Sequence, residues 1–135
     1  MARVLPQMVM MQPGEGIMPG AMAIAAPGHA VGHAVGHTAF LVGGRFMIWG
    51  DLVHHAVIQF ARPQVTWAYD TDPAMARAAR LSLMARAASE GWPVAGAHLP
   101  FPAIGRISVA DDGYAFAPIA QPTDESVSLA TSFAR

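Results

Sequence analysis

Cysteine is absent from the 135-residue sequence, which excludes disulfide bonds, thiolate nucleophiles and cysteine-based zinc sites. Charged residues make up only 13% of the chain, and its eight basic residues are scattered, with a net charge of −1. Without a basic patch, the sequence predicts no nucleic acid partner. No apolar run reaches the roughly 20 residues of a membrane-spanning helix, so we predict no membrane partner.

The first residues of the chain give no clear targeting signal. Pro6 and Gln7 interrupt the apolar residues there, so we expect no cleaved signal peptide. A cytoplasmic and a periplasmic location both fit the sequence, because the lack of cysteine does not distinguish between them.

Apolar residues are abundant instead, at 53% of the chain. A small domain has a large surface to cover with polar groups, so this fraction is high for a domain that stands alone. We therefore expect one domain at residues 13–120 with an apolar face that some other polypeptide covers. Residues 1–12 are predicted to form an N-terminal extension, and residues 121–135 a loose polar tail.

One long helix is predicted from its end signals. Asp72 is a good N-cap, Pro73 suits the first helical position, and Gly91 supplies a stop after Glu90. Short strands are predicted around turn residues such as Gly43-Gly44 and Asp112-Gly113. The predicted strands are 17–18, 21–26, 38–42, 45–49, 65–69, 94–97, 106–109 and 114–116. Residues 52–60 fit either a short helix or an irregular segment.

Imidazoles and a carboxylate flank the first predicted hairpin. His29, His33 and His37 are spaced by four residues before it, and Asp51 follows its second strand. Intervening glycines each cost a helix about 1 kcal/mol, so we expect a histidine loop rather than a helix. Nitrogen and oxygen ligands at one rim of a sheet suit Zn²⁺ or a similar divalent ion. Taken singly, however, these residues also fit ordinary loop and cap positions.

Read together and in order, several segments resemble the C-terminal half of a metallo-β-lactamase-fold hydrolase. The closest similarity is to the methyl parathion hydrolase-like group and to the neighbouring N-acyl homoserine lactonases. The match runs from about Gly14 to Ile119. Its segments include Pro27-Gly28-His29, Gly36-His37-Thr38, Gly50-Asp51-Leu52, Ala68-Tyr69-Asp70, His98-Leu99-Pro100-Phe101-Pro102, Ile104-Gly105-Arg106-Ile107 and Gly113-Tyr114.

The resemblance implies an α+β fold that is the second half of an αββα sandwich, with a mostly antiparallel sheet and one long helix at residues 73–90. It also implies a hydrolase that binds two zinc ions, or other divalent metals, and acts on organophosphate esters, lactones or related small esters. The two metals would activate water and polarise the substrate oxygen.

The same resemblance implies the ligands. The histidine after Pro-Gly is a ligand in the family, but the sequence repeats HAVG, so the position is His29 when the motif is read forward and His33 when it is read backward from Thr38. Asp51 would bridge the two metals, and His98 would bind the second. The substrate pocket is predicted to include His54, His55, Phe60 and Phe101.

Family members also carry an HxHxDH motif, which is absent from these 135 residues. We therefore expect an incomplete metal site that needs a first half or a partner chain for activity. The alternative is a non-catalytic αβ module that forms a homodimer, or pairs with another chain, through its apolar face.

Overall fold

Seven short strands form one sheet in chain order in the computed structural model, which describes residues 11–30 and 36–120. Neighbouring strands are antiparallel except β4 and β5, which are parallel. The crossover between these two contains both helices. The predicted α+β class is confirmed. The elements are β1 (Gly16–Met18), β2 (Ala21–Ala25), β3 (Thr38–Val42), β4 (Phe46–Gly50), α1 (Ala56–Ala61), α2 (Pro73–Ser89), β5 (Pro93–Gly96), β6 (Ile104–Ala110) and β7 (Gly113–Pro118).

Both predicted hairpins are present. Gly43 and Gly44 have φ values of 60° and 67°, the left-handed conformation that glycine adopts without a steric penalty, and they connect β3 to β4. The turn at Asp111 and Asp112 connects β6 to β7, with Asp111 at φ 45° and Gly113 as the first residue of β7. Strand pairing follows the alternation of the sequence, with Leu41 opposite Met47.

Helix α2 begins and ends where its sequence signals predict. The N–H of Met75 donates to Asp72 Oδ1 over 2.9 Å, so Asp72 caps the helix, and Pro73 is its first residue. Gly91, with φ 63°, follows the end of the helix. The residues on its inner face are Ala76, Ala79, Arg80, Leu83, Met84 and Ala87. Neither helix of the part that the structure describes is long and apolar enough to cross a membrane.

The strand predicted at residues 65–69 is wrong. Side chains, rather than a neighbouring strand, bind the backbone of this segment. The Val65 carbonyl accepts from Gln59 Nε2 and Arg80, and the Trp67 N–H donates to Asp70. These side-chain bonds, one of them from the distant Arg80, satisfy backbone groups of the segment despite its β-prone composition. Of residues 52–60, the second half belongs to helix α1, which starts at Ala56.

The two faces of the sheet differ. Leu41, Met47 and Val94 lie on the face that packs against the helices, and they belong to the main core. The opposite face carries Phe40 and its cross-strand partner Ile48, of which Ile48 is 39% exposed. Within residues 11–30 and 36–120, both helices contribute to the core on the first face. The second face is therefore a partly apolar surface that no helix of these residues covers.

Two predicted boundaries fall largely on residues outside this description. The N-terminal extension at residues 1–12 is described only for its last two residues, and the polar tail at 121–135 is not described at all. Those two assignments remain predictions.

Gly28 offers a test of how closely the histidine loop packs on α2. Its φ is 113°, and a Cβ there would overlap the backbone nitrogen of Ala76. We expect Gly28→Ala to lower the free energy of unfolding by about 2–4 kcal/mol, since the left-handed conformation and the overlap both oppose the side chain. Urea unfolding would measure it.

The matched control for that variant is Gly20→Ala. Gly20 has φ 81°, but no heavy atom of the described chain lies within 4 Å of a Cβ built there. We expect this control to lose about 1–2 kcal/mol, the conformational part alone. Equal losses in the two variants would contradict close packing of Gly28 on α2.

Candidate metal centre

His29, Asp51 and His98 lie together at one edge of the sheet. Strands β4 and β5 are parallel, so their carboxyl ends meet at the same edge, and Asp51 and His98 each follow one of these ends. His29 reaches the same point from the loop after β2. His29 Nε2 lies 3.4 Å from Asp51 Oδ2, and His98 Nε2 lies 3.2 Å from Asp51 Oδ1. The two imidazoles therefore approach different oxygens of one carboxylate.

His37 holds the backbone of Asp51 in place. The Asp51 N–H donates to His37 Nε2 over 3.2 Å, and His37 Nδ1 lies 3.2 Å from the carbonyl of Ala26. This arrangement suits a neutral ring with its proton on Nδ1. Burial lowers the pKa of His37 and favours that neutral form. Gly50, with φ 52°, allows the close approach, because a Cβ there would lie 2.9 Å from His37 Nε2.

His54 lies between the other two cleft histidines. Its ring stacks on His98 at a centroid distance of 5.3 Å and lies 4.6 Å from the ring of His29. Both of its ring nitrogens are buried, and neither has a hydrogen-bond partner among the residues described. Burial lowers the pKa of His54, and the neighbouring His29 lowers it further. The ring is therefore neutral near pH 7 with an available lone pair.

An open cleft of about 710 Å³ lies over this group. It is lined by His29, Asp51, His54, Trp67, Tyr69 and His98. Trp67 and Tyr69 form an aromatic wall of the cleft, although their sequence predicts a strand and not a pocket. Their position in the cleft depends on the conformation of the loop, which hydrogen bonds to Asp70 and Arg80 stabilise.

The other predicted pocket residues lie elsewhere. His55 caps helix α1, where its Nδ1 accepts from the N–H of Ile58 over 3.4 Å. Phe60 is buried in the core and stacks on Phe116 at 5.2 Å, because it is on the inner face of α1. Phe101 is 87% exposed and is not among the residues lining the cleft. His33, the alternative ligand to His29, lies outside the described residues.

Asp70 and Arg80 lie behind the cleft, and neither was predicted from the sequence to be a site residue. Arg80 NH2 lies 3.2 Å from Asp70 Oδ2, and both side chains are almost fully buried. Asp70 Oδ1 lies 3.5 Å from His29 Nδ1. The available signal was Arg80 itself, a charged residue on the apolar stripe of α2 formed by Ala76 and Leu83.

The donors at this edge fit a divalent metal ion. Three of them, on His29, His54 and Asp70, lie within 4.8 Å of one another, the one such set among residues 11–30 and 36–120. Buried nitrogens and oxygens that lack hydrogen-bond partners are commonly satisfied by an ion or water. Imidazole and carboxylate are also the ligands that zinc favours when cysteine is absent.

Comparisons with known proteins agree with this chemistry. AidC, a dizinc quorum-quenching lactonase solved in complex with a product, superposes with a TM-score of 0.77 and 25% identity over 90% of this chain. The hydrolase AbOPH of the beta-lactamase superfamily superposes with a TM-score of 0.70 and 36% identity over 82%. The chain is related to the metallo-β-lactamase-fold hydrolases. The chain spans 41% of the first structure and 38% of the second.

No protein-family model matches the sequence, and no curated protein matches it either. The predicted relationship to the superfamily is nevertheless confirmed by the two structures. The subgroup within the superfamily remains a prediction from the sequence.

Two shifted histidines predict how stability of the metal-free protein depends on pH. The folded-state pKa values of His37 and His54 lie below the ordinary value of about 6.5, so the unfolded state binds more protons. The stability that neutral His37 and His54 contribute is therefore fully present above about pH 6.5. This contribution is lost as the pH falls through their folded-state pKa values.

Urea unfolding with a chelator, from about pH 8 to about pH 5.5, would measure this loss. We expect a double variant, His37→Gln with His54→Gln, to show a flatter dependence. Asp51 and Asp70 oppose the shifts through their charge, and His29 increases them. An identical pH slope in the double variant would contradict the assignment.

Proposed function

We propose that the chain provides one part of a two-metal hydrolase centre that cleaves small esters. The single observation that carries the proposal is the geometry of Asp51, whose two oxygens each face the Nε2 of a different histidine. Asp51 could therefore serve as a ligand to two metal ions, with His29 as a second ligand on one side and His98 on the other. The dizinc lactonase AidC, which superposes on 90% of the chain, makes zinc the first metal to test.

The histidines and Asp51 would have different roles in this centre. His29, Asp51 and His98 would hold the metals, which when bound supply Lewis acidity toward water and toward the substrate's carbonyl or phosphoryl oxygen. His37 fixes Asp51 through its backbone. Neutral His54 is placed to accept or donate a proton in the cleft.

The aromatic side of the cleft would contact the substrate. Trp67 and Tyr69 line the cleft beside the histidines. Their rings offer an apolar wall to the substituent of an ester, a lactone or an organophosphate ester, and they would keep bulk water from it. This is the substrate class that we propose.

A further polypeptide segment would complete the centre. A catalytic zinc generally takes about three protein ligands, and the three candidate ligands here are divided between two metal positions. The sequence contains no HxHxDH motif. We propose that a segment with such a motif, in a longer protein or in a partner chain, supplies the other ligands. The sheet face that carries Phe40 and Ile48 is where it would pack.

The second candidate function is a non-catalytic module. The exposure of Ile48 on the second sheet face favours it, because that face could pair with a second copy of the chain without any metal. Such a homodimer would bury the apolar residues that otherwise face water.

Zinc content and hydrolysis assays separate the two candidates. The chain would be assayed alone and mixed with a separately produced segment that carries HxHxDH, with an N-acyl homoserine lactone and a phosphotriester as substrates. Zinc uptake with hydrolysis in the mixture supports the hydrolase. A metal-free homodimer without turnover, alone and in the mixture, supports the module and contradicts the hydrolase.

A further inference from the structure

Asp70 is a buried carboxylate with one unused oxygen. Its side chain is 1% exposed, and Oδ1 has no hydrogen-bond partner in the described part of the chain. His29 Nδ1 lies 3.5 Å from this oxygen, and it is also buried and unpaired there. Burying a carboxylate oxygen without a hydrogen-bond partner costs free energy. The position of Asp70 Oδ1 opposite His29 Nδ1 therefore calls for an explanation.

The other oxygen of Asp70 is fully engaged. Oδ2 accepts from Arg80 NH2 and from the N–H of Trp67, each over 3.2 Å. Arg80 is itself fixed, because its Nε donates to the Leu52 carbonyl over 2.8 Å and its NH1 to the Val65 carbonyl over 2.6 Å. The carboxylate therefore cannot rotate without losing these bonds, and Oδ1 stays directed at His29.

The ring of His29 has its other nitrogen on the opposite side, facing Asp51. Nε2 lies 3.4 Å from Asp51 Oδ2. A neutral imidazole carries one proton, so a proton on Nδ1 leaves a lone pair on Nε2 and the reverse tautomer removes it. The tautomer of His29 thus decides whether it can bind a metal beside Asp51.

We propose that Asp70, anchored by Arg80, is a positioning residue that keeps the proton of His29 on Nδ1 and leaves Nε2 free for the metal. The inference rests on the proposed function, because it assigns Nε2 to the metal position beside Asp51. Histidines that bind metals generally donate their other N–H to a carboxylate or carbonyl. Arg80 also donates to the carbonyl of Leu52, the residue after Asp51. The same guanidinium therefore contacts both Asp70, which faces His29, and the backbone next to Asp51.

The test is Asp70→Asn, which keeps the size of the side chain and removes its charge. We expect zinc affinity, measured by competition with a chromophoric chelator, to fall by about 10- to 100-fold. Nitrogen-15 NMR of the imidazoles in the metal-free protein should show the His29 proton moving from Nδ1 toward Nε2. The second readout reports on the tautomer itself, which a purely structural role would not change.

Asp72→Asn is the matched control. Asp72 is two residues away, and its carboxylate caps α2 through the N–H of Met75. We expect this variant to keep the zinc affinity and the His29 tautomer of the wild-type protein. Should Asp70→Asn fail to fold, Asp70→Glu, which keeps the charge, is expected to retain the Nδ1 proton.

Two outcomes would overturn the inference. The first is an unchanged tautomer and unchanged zinc affinity in Asp70→Asn. The second is an unchanged tautomer with zinc affinity that falls equally in Asp70→Asn and His54→Ala, which would make Asp70 a direct ligand together with His54. If the wild-type protein takes up no zinc, either alone or mixed with a segment that carries HxHxDH, the proposed function fails, whereas the tautomer of metal-free His29 still decides this inference.

Discussion

Arg80→Met is expected to lower the free energy of unfolding by about 3–5 kcal/mol, the largest stability loss that the structure predicts. The variant leaves Asp70 buried without its cationic partner, and the carbonyls of Leu52 and Val65 lose their donor. Methionine fills a similar volume, so the loss would come from the unpaired groups and not from a cavity. Urea unfolding at neutral pH would measure it.

Two further variants isolate the cause. Arg77 is on the same helix but exposed, and we expect Arg77→Met to change stability by less than about 0.5 kcal/mol. Replacing both members of the buried pair, Arg80→Met with Asp70→Leu, should recover part of the loss, because no charge is then buried alone. A single variant as stable as the wild type, or a double variant less stable than the single, would contradict the account.

Asp51→Asn is expected to lower zinc content and to reduce hydrolysis in the completed assembly by more than about 100-fold, since partners that merely orient a ligand already cost about 10- to 100-fold. The amide keeps one oxygen but cannot supply a negative charge to both metal positions. The backbone N–H of residue 51, which donates to His37, is unaffected by the substitution, so the variant should fold. Zinc analysis together with the initial rate on a lactone and on a phosphotriester would measure the effect.

Asp112→Asn is the control for the charge change. Asp112 is exposed in the β6–β7 turn and lies outside the cleft residues. We expect it to keep the zinc content and the rate of the wild-type assembly. Equal rates for Asp51→Asn and the wild type would exclude Asp51 from the metal centre.

The sequence predicted those features that depend on neighbouring residues. Gly43-Gly44 requires a turn because of its backbone conformation, and Asp72 with Pro73 starts a helix through local hydrogen bonding and geometry. These signals act over a few residues, so they are visible without knowledge of the rest of the fold. The long helix and both hairpins follow from them.

Features that depend on distant residues were not predictable in the same way. Residues 65–69 have the composition of a strand, yet Gln59 and Arg80 bind their backbone in a turn. Phe60 was expected at the pocket, but the direction of α1 places its ring in the core. Both outcomes are set by packing between elements, and local composition carries no information about that packing.

The candidate site shows the same division. The resemblance to a known family pointed to His29, Asp51 and His98, and the parallel pairing of β4 and β5 places the last two at one edge. Asp70 was quoted only as part of a matching segment. Its contact with His29 depends on the buried Arg80, whose significance appears once α2 is packed on the sheet.

X-ray diffraction from a zinc-loaded crystal, with anomalous data collected at the zinc edge, would locate the metal relative to Asp51. We expect anomalous density at about 2.0–2.2 Å from an oxygen of Asp51 and from the Nε2 of His29 or His98. Zinc that is bound elsewhere on the protein, with none beside Asp51, would contradict this expectation.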